Sequence, residues 1–340
     1  MSDRVLLTGV TGFLGGHVAL ALLQAGYTVR GSLRNPARAE HVRRTLAGQG
    51  ADVSRLDFVS LDLLRDEGWK KAAEGCRYLM HTASPFVIRM PADKMELIRP
   101  AVEGTERALS AALSAGAERI VLTSSVAAIA YGHDRGRTAP FTAKDWSNPD
   151  GPGGTAYTES KTLAERRAWQ IMREAGRDKD LATINPAGIF GPLLDEDPGT
   201  SAILVQRLLN GSVPAAPRLI FSIVDVRDVA AAHVAALAKP EAGGRRFPMG
   251  DRPLSFLEAG QILRRRFPER AGKIPRFELP DWAVRIYALF DRDLRSTTGE
   301  LGIIRRIDSS EVTALLGRQL IPSDEAIIAT AESLIAQKLV

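Results

Sequence analysis

The sequence predicts an α/β protein built on a doubly wound parallel sheet, with a smaller C-terminal domain interleaved with it. Three observations carry this expectation. Short apolar runs alternate with helical periods through the first half of the 340 residues, as in strands covered by helices. A glycine-rich segment, Thr8-Gly-Val-Thr-Gly-Phe-Leu-Gly15, directly follows the first of those runs. After Asn185-Pro186 the beat gives way to proline-broken loops such as Gly191-Pro192 and Pro214-Ala-Ala-Pro217, which interrupt regular elements.

The strands are expected at Arg4–Thr8, Thr28–Leu33, Asp57–Leu61, Tyr78–Thr82, Ile120–Ser124 and Leu181–Asn185, with a seventh at Leu219–Val224. Helical periods fall between them at Leu14–Gln24, Ala37–Leu46, Asp66–Ala73, Met95–Ser114 and Tyr157–Glu174. Gly26, Gly50, Gly75 and Gly116 stand at the helix-to-strand joints, where a left-handed residue commonly ends a helix. Further helices are predicted at Ser255–Arg266, Pro280–Leu289 and Asp324–Gln337. Residues 1–185 are therefore expected to form a dinucleotide-binding domain that also recruits 219–238, leaving 186–340 mainly to the substrate.

A chain of this length can bury a large core in about two domains. Its composition, 45% hydrophobic and 25% charged, is that of an ordinary globular protein. The longest apolar stretches, such as Val229–Ala238, are too short to span a bilayer. Met1-Ser-Asp-Arg4 leads straight into the first strand, which leaves no room for a signal peptide;. The single cysteine, Cys76, permits no intrachain disulfide; a cytoplasmic location is expected. A net charge of +5 raises the question of nucleic acid;. The basic residues are scattered, however, and the densest patches, Arg264–Arg266 and Arg305-Arg306, read as solvated helix faces;. Neither nucleic acid, membrane nor metal is expected as a partner. The chain is read as a monomer or homodimer.

Gly9, Gly12 and Gly15 divide the work of a phosphate cradle. One permits the tight bend, one admits backbone to a pyrophosphate, and one lets the helix pack on the sheet, the Rossmann arrangement. The helix that opens at Phe13 and Leu14 would offer its N-terminal N–H groups to the phosphates. The end of the second strand chooses between nicotinamide cofactors, and NAD sites place an acid there. Val29-Arg-Gly-Ser-Leu-Arg-Asn35 contains none. Arg34, with Ser32 and Arg38 as helpers, suits a 2′-phosphate through charge-assisted hydrogen bonds, so NADPH/NADP+ is the expected cofactor. Asp62 and Leu63 follow the third strand, in reach of adenine. Thr82, Ala83 and Ser84 end the fourth, where an open sheet binds its ligand. His81, inside an apolar strand, reads as a buried structural histidine.

Tyr157 and Lys161 lie one helical turn apart, 32 residues beyond Ser125 in the first case. Reducing a carbonyl with hydride leaves charge on oxygen, which needs a proton and a stabilising donor. A phenol of ordinary pKa near 10 holds its proton at neutral pH. A neighbouring ammonium is expected to lower it, so that Tyr157 serves as acid and, in reverse, as base. Ser125 would bind the oxyanion. Adjacent strand residues face opposite ways, so only one of Ser124 and Ser125 is expected to face the ligand.

These motifs, with Val121-Leu-Thr-Ser-Ser125, His81-Thr-Ala-Ser-Pro85, Asn185-Pro-Ala-Gly-Ile-Phe-Gly-Pro192 and Val224-Asp-Val-Arg-Asp-Val229, resemble the extended short-chain dehydrogenases/reductases. The branch they resemble is that of the dihydroflavonol, cinnamoyl-CoA and yeast-type ketone/aldehyde reductases. The likeness covers most of the first 235 residues. It implies catalytic Ser125, Tyr157 and Lys161, with Ser125 favoured over Ser124 by spacing, and Lys161 also bound to the nicotinamide ribose. Pro186 to Ile189 would line the nicotinamide, and Phe86 and Ala130 would sit at the substrate. Two departures leave the specialised substrates unsupported: Ala130 stands where flavonoid reductases carry Asn or Asp, and Gly153-Gly-Thr-Ala-Tyr157 lacks the cinnamoyl-CoA signature. The resemblance thus implies a reductase of small carbonyl compounds, aromatic or medium-sized and apolar. A nucleotide-sugar epimerase or dehydratase is the nearest alternative, although Val126-Ala127 replaces the Asp-Glu pair used in elimination. A redox sensor without turnover is the second alternative.

Overall fold

The computed structural model describes residues 3–85, 91, 93–196, 199–290 and 298–340. Phe86 lies outside them. The expected beat appears in order as β1 (Arg4–Thr8), α1 (Phe13–Gln24), β2 (Thr28–Leu33), α2 (Ala39–Gly48), β3 (Leu56–Ser60) and α3 (Trp69–Ala73). It continues through β4 (Tyr78–His81), α4 (Met95–Ser114), β5 (Arg119–Thr123), α5 (Ala156–Glu174) and β6 (Leu181–Pro186). Beyond it come β7 (Gly188–Phe190), α6 (Gly199–Leu209), β8 (Ile220–Asp225), α7 (Val226–Ala238) and β9 (Arg245–Met249). The chain closes with β10 (Pro253–Ser255), α8 (Phe256–Arg266), α9 (Asp281–Tyr287), α10 (Ser310–Leu316) and α11 (Ser323–Ala336).

Seven parallel strands form the main sheet in the order β3-β2-β1-β4-β5-β6-β9. The order reverses between β1 and β4, which opens a crevice at the carboxyl ends of those strands. Alternate residues feed opposite faces. Val5 and Leu7 join α1, α2 and α7 in one core, and Leu6 joins α3, α4 and α5 in the other. This two-sided burial is why the strands read as continuous apolar runs rather than alternating ones.

The strand expected at Leu219–Val224 forms, outside the main sheet. Residues 220–225 make up β8, which pairs with β7 and β10 in a separate three-stranded sheet. The main sheet is completed instead by β9, which pairs with β6 and sets Arg246 beside Thr183. Its sequence, Arg-Arg-Phe-Pro-Met, carries two charges and a proline, which an edge strand tolerates. A separate core gathers α6, α8, α11 and the second sheet around Leu208, Ile223, Leu263 and Ile327. Among the described residues no helix is long and apolar enough to cross a membrane.

Candidate active site

The glycine turn binds β1 to α1 with almost no spare room. Gly9 adopts φ +76°, and a Cβ on Gly15 would stand 2.0 Å from the Gly9 carbonyl oxygen. Gly9 itself packs on Ala83, whose backbone would lie 3.0 Å from an added Cβ. Gly12 differs, since a Cβ there would meet only the Gly9 oxygen, at 3.6 Å. Protein packing therefore requires Gly9 and Gly15, whereas the bare surface at Gly12 is open to a ligand. No side chain caps the N-terminus of α1 and no acid lies in its first turn, so its dipole faces the crevice uncompensated. This cradle fits a pyrophosphate.

Around it the β1 and β4 ends are cross-tied. Thr82 Oγ1 donates to the Thr8 carbonyl at 2.6 Å, and the Ala83 N–H donates to Thr8 Oγ1 at 3.1 Å. His81 Nδ1 lies 2.8 Å from the same Thr8 hydroxyl. Burial, with Lys161 nearby, pushes the His81 imidazole down to about 3, which makes it a neutral structural residue. Ser32 accepts from the Gly9 N–H at 3.3 Å and thus shapes the turn itself. Arg34 is exposed at the end of β2, and its guanidinium has no hydrogen-bond or ion-pair partner among the described residues. Arg38 points its Nη2 toward Asp195, 3.9 Å away, while His41 Nε2 contacts the same carboxylate at 2.9 Å. Asp62 folds back to accept from the Leu64 N–H at 2.9 Å. Leu63 packs its side chain on Gly104 of α4.

A cavity of about 570 Å³ opens beyond the glycine turn, along the carboxyl ends of β4, β5 and β6. Phe13, Leu14, Thr82, Ser84, Pro186 and Ile189 line one side, and Ser125, Ala130, Tyr157 and Lys161 line the floor. Ser125, two residues past β5, is extended, and its Oγ accepts from the Ala127 N–H at 3.1 Å, capping a short turn over Val126–Ala128. Ser125 lies close enough to Tyr157 to act against the burial of its phenol, and the Ser125 hydroxyl donates to the Pro186 carbonyl at 3.4 Å. Ser124 turns the other way and donates to Glu165 Oε2 at 2.5 Å. Of the two adjacent serines, Ser125 is thus the one that faces the tyrosine.

Helix α5 presents Tyr157 and Lys161 because a Thr155/Thr158 capping box fixes its first turn;. The spacing of four then stacks both side chains on one face. Lys161 is buried, with no hydrogen-bond or ion-pair partner among the described residues. Burial lowers its ammonium to about 8, while Glu165 opposes the shift. The expected depression of the tyrosine is absent. Burial raises the Tyr157 phenol to about 12, the Ser125 hydrogen bond lowers it and Tyr131 raises it further, with Lys161 not among the causes. Desolvation sets the direction of the shift.

Three residues on the far wall carried no recognised signal. Arg305 is not on a helix face but half-buried, its guanidinium 4.0 Å from the Tyr131 ring centre. It donates to the Ala130 carbonyl at 2.8 Å and pairs with Glu300 at 2.5 Å. Tyr131, Glu300 and Arg305 all line the large cavity. They converge from segments far apart in sequence, so only the fold reveals them. Below the floor, Glu165 is buried against Arg246 at 2.6 Å.

A parallel sheet with a glycine turn at its switch point, and a tyrosine and lysine one turn apart beside a strand-end serine, is the plan of an extended short-chain dehydrogenase/reductase. The chain belongs to that family: the family model described as NAD dependent epimerase/dehydratase matches residues 5–250. It is 36% identical over 273 residues to cinnamoyl-CoA reductase CAD2 of Medicago truncatula, covering 79% of this chain and 82% of that protein. It is 35% identical over 248 residues to tetraketide alpha-pyrone reductase 2 of Arabidopsis thaliana, covering 72% and 76%. The yeast methylglyoxal/isovaleraldehyde reductase Gre2, solved with NADPH, superposes with a TM-score of 0.81 at 25% identity, covering 99% of this chain and 100% of that one.

Proposed function

We propose that the protein is an NADPH-dependent carbonyl reductase that converts aldehydes or ketones to alcohols, reversibly, with Ser125, Tyr157 and Lys161 as its catalytic residues. The single observation that carries this reading is the convergence of Ser125, Tyr157 and Lys161 on one cavity. The reductase names of the relatives and the NADPH bound by Gre2 support it.

The nicotinamide, when bound, supplies the hydride to the carbonyl carbon. Ser125 donates a hydrogen bond to the substrate oxygen and stabilises its developing charge. Tyr157, whose phenol stays protonated throughout the neutral range, delivers its proton to that oxygen as general acid. Lys161 provides the positive charge that favours the resulting phenolate, and its free N–H groups are available to a ribose. On the cofactor side, Gly12 and the start of α1 receive the pyrophosphate, and Arg34 receives the 2′-phosphate. Pro186 and Ile189 form the wall against the nicotinamide, with Thr82 and Ser84 opposite. Phe13, Leu219 and Phe221, all lining the cavity, favour an aromatic or medium-sized apolar carbonyl compound.

The test is NADPH oxidation by the purified protein against a panel of aldehydes and ketones, with NADH in parallel and Tyr157→Phe as control. Turnover that prefers NADPH and collapses in the variant supports the proposal. Tight NADPH binding with no turnover by the wild type refutes it in favour of a sensor, and retained NAD would favour sugar epimerisation.

A further inference from the structure

Among the described residues Glu165 is the ionisable group most deeply engaged in hydrogen bonds, and the proposed reaction gives it no task. It lies one turn after Lys161 on the same face of α5, wholly buried. Each carboxylate oxygen is shared by three donors. Arg246 Nε at 2.6 Å, Thr183 Oγ1 at 3.1 Å and Trp169 Nε1 at 3.3 Å meet Oε1. Ser124 Oγ at 2.5 Å, Asn185 Nδ2 at 2.7 Å and Arg246 Nη2 at 3.3 Å meet Oε2. These donors arrive from β5, β6, β9 and α5 itself. Two of them flank the floor of the cleft: Ser124 precedes Ser125, and Asn185 precedes Pro186 while also donating to the Ser125 carbonyl at 3.4 Å.

A buried ion pair contributes little net stability compared with an apolar replacement. A purely structural reading therefore leaves unexplained why a carboxylate stands here. Its position beside Lys161 explains it. We propose that Glu165, held by Arg246, is a positioning residue for the reductase site: its carboxylate keeps the Lys161 ammonium charged in the desolvated cleft and fixes the turn that carries Ser125. The inference rests on the reductase reading for its kinetic consequence, but its electrostatic part stands without turnover.

The other groups around Lys161 do not supply this charge. His81 faces it from β4 and is neutral. Helix α4 contributes Ala101 and Thr105 to the same small cavity, neither ionisable. Tyr157, beside Lys161, and Tyr131 are both protonated, and Glu300 and Arg305 are paired with each other. The ion pairs linking α4 to α5, Lys94 with Glu159 and Arg167 with Glu106, lie nearer the surface. Burial pulls the Glu165 carboxyl upward, but the charge and hydrogen bonds of Arg246 and the bonds from Ser124 and Asn185 carry it below its ordinary value. It therefore remains an anion wherever Lys161 titrates, and it opposes the fall of the lysine caused by burial.

The experiment is competitive acetylation of the full chain with acetic anhydride across pH, read at Lys161 by peptide mass spectrometry. Three proteins are compared: wild type, Glu165→Gln, and the double variant Glu165→Gln with Arg246→Met, which leaves no unpaired charge should the single variant fail to fold. The expected result is a labelling midpoint at least about one pH unit lower in folded Glu165→Gln, a smaller fall in the double variant, which also loses the opposing Arg246 cation, and no change in Glu165→Asp, which retains the charge. The alkaline limb of kcat/KM for NADPH-dependent benzaldehyde reduction should move down with it, a change that mere loss of folded protein would not produce. A midpoint that stays at the wild-type value in the folded double variant overturns the proposal. Absence of wild-type turnover with every carbonyl tried would overturn the reductase reading while the labelling result still decides the role of Glu165.

Discussion

Gly15 sits directly beneath Gly9, so close that any side-chain carbon would enter the Gly9 carbonyl. The turn between β1 and α1 is closed by this contact, and the helix start is aimed by it.

Gly15→Ala should accordingly destabilise the protein by about 3 kcal/mol, the upper range for overpacking a tight site, measured by urea unfolding. Gly12→Ala should cost less than about 1 kcal/mol, as at an unstrained surface position, yet weaken NADPH binding in a fluorescence titration. Equal effects of the two substitutions on stability would contradict this division.

Arg34→Ala should raise the KM for NADPH about 10- to 100-fold, the loss expected for a hydrogen bond to a charged group. The KM for NADH and the melting temperature should barely change, because the guanidinium is exposed and makes no hydrogen bond or ion pair among the described residues. Parallel loss of both cofactors would argue that Arg34 shapes the turn rather than reads the phosphate.

Lys161 illustrates a site maintained against stability. Its folded pKa of about 8 lies below the ordinary 10.5, so the folded state is penalised wherever the lysine must be charged. The native state binds fewer protons between those two values, and stability therefore rises with pH across that window. Lys161→Met should stabilise the protein at pH 7 by on the order of 3 kcal/mol while abolishing activity. The gap between the two proteins should narrow as pH climbs from 8 toward 10.5. Identical unfolding curves at pH 7 would show that the ammonium is solvated.

Arg246→Met should cost about 3–5 kcal/mol, because it strands the Glu165 carboxylate in the core. Adding Glu165→Gln should recover most of that loss in the same urea assay. A double variant no more stable than the single one would mean that Arg246 matters chiefly through its stacking on Trp146, 3.8 Å from the ring centre.

The nucleotide half was legible because its signals are local. A glycine turn must follow its strand, an apolar run buried on both faces has few alternatives, and Tyr157 and Lys161 meet through helical periodicity alone. Where sequence reasoning failed, the determinant was distant. Glu165 resembles any acid on an amphipathic helix, although its spacing of four from Lys161 was available as a clue. Arg246 lies in a strand whose charges and proline disguise it, and only pairing with β6 gives it a face toward Glu165. Arg305 read as surface because Tyr131, whose ring its guanidinium covers, lies far away in sequence. The rise of the Tyr157 phenol was likewise invisible, since desolvation depends on the completed cleft and not on the neighbouring lysine.

The late arrival of β9 bears on how the chain matures. A ribosome delivers Tyr157, Lys161 and Glu165 well before Arg246, so the nascent chain already holds every group proposed for catalysis while the Glu165 carboxylate still lacks its guanidinium. The open edge of β6 must wait through the whole excursion of residues 187–244 for its partner strand. Docking of Arg245–Met249 then closes the edge and neutralises the buried acid in one event, which makes this five-residue strand the latch of the catalytic half.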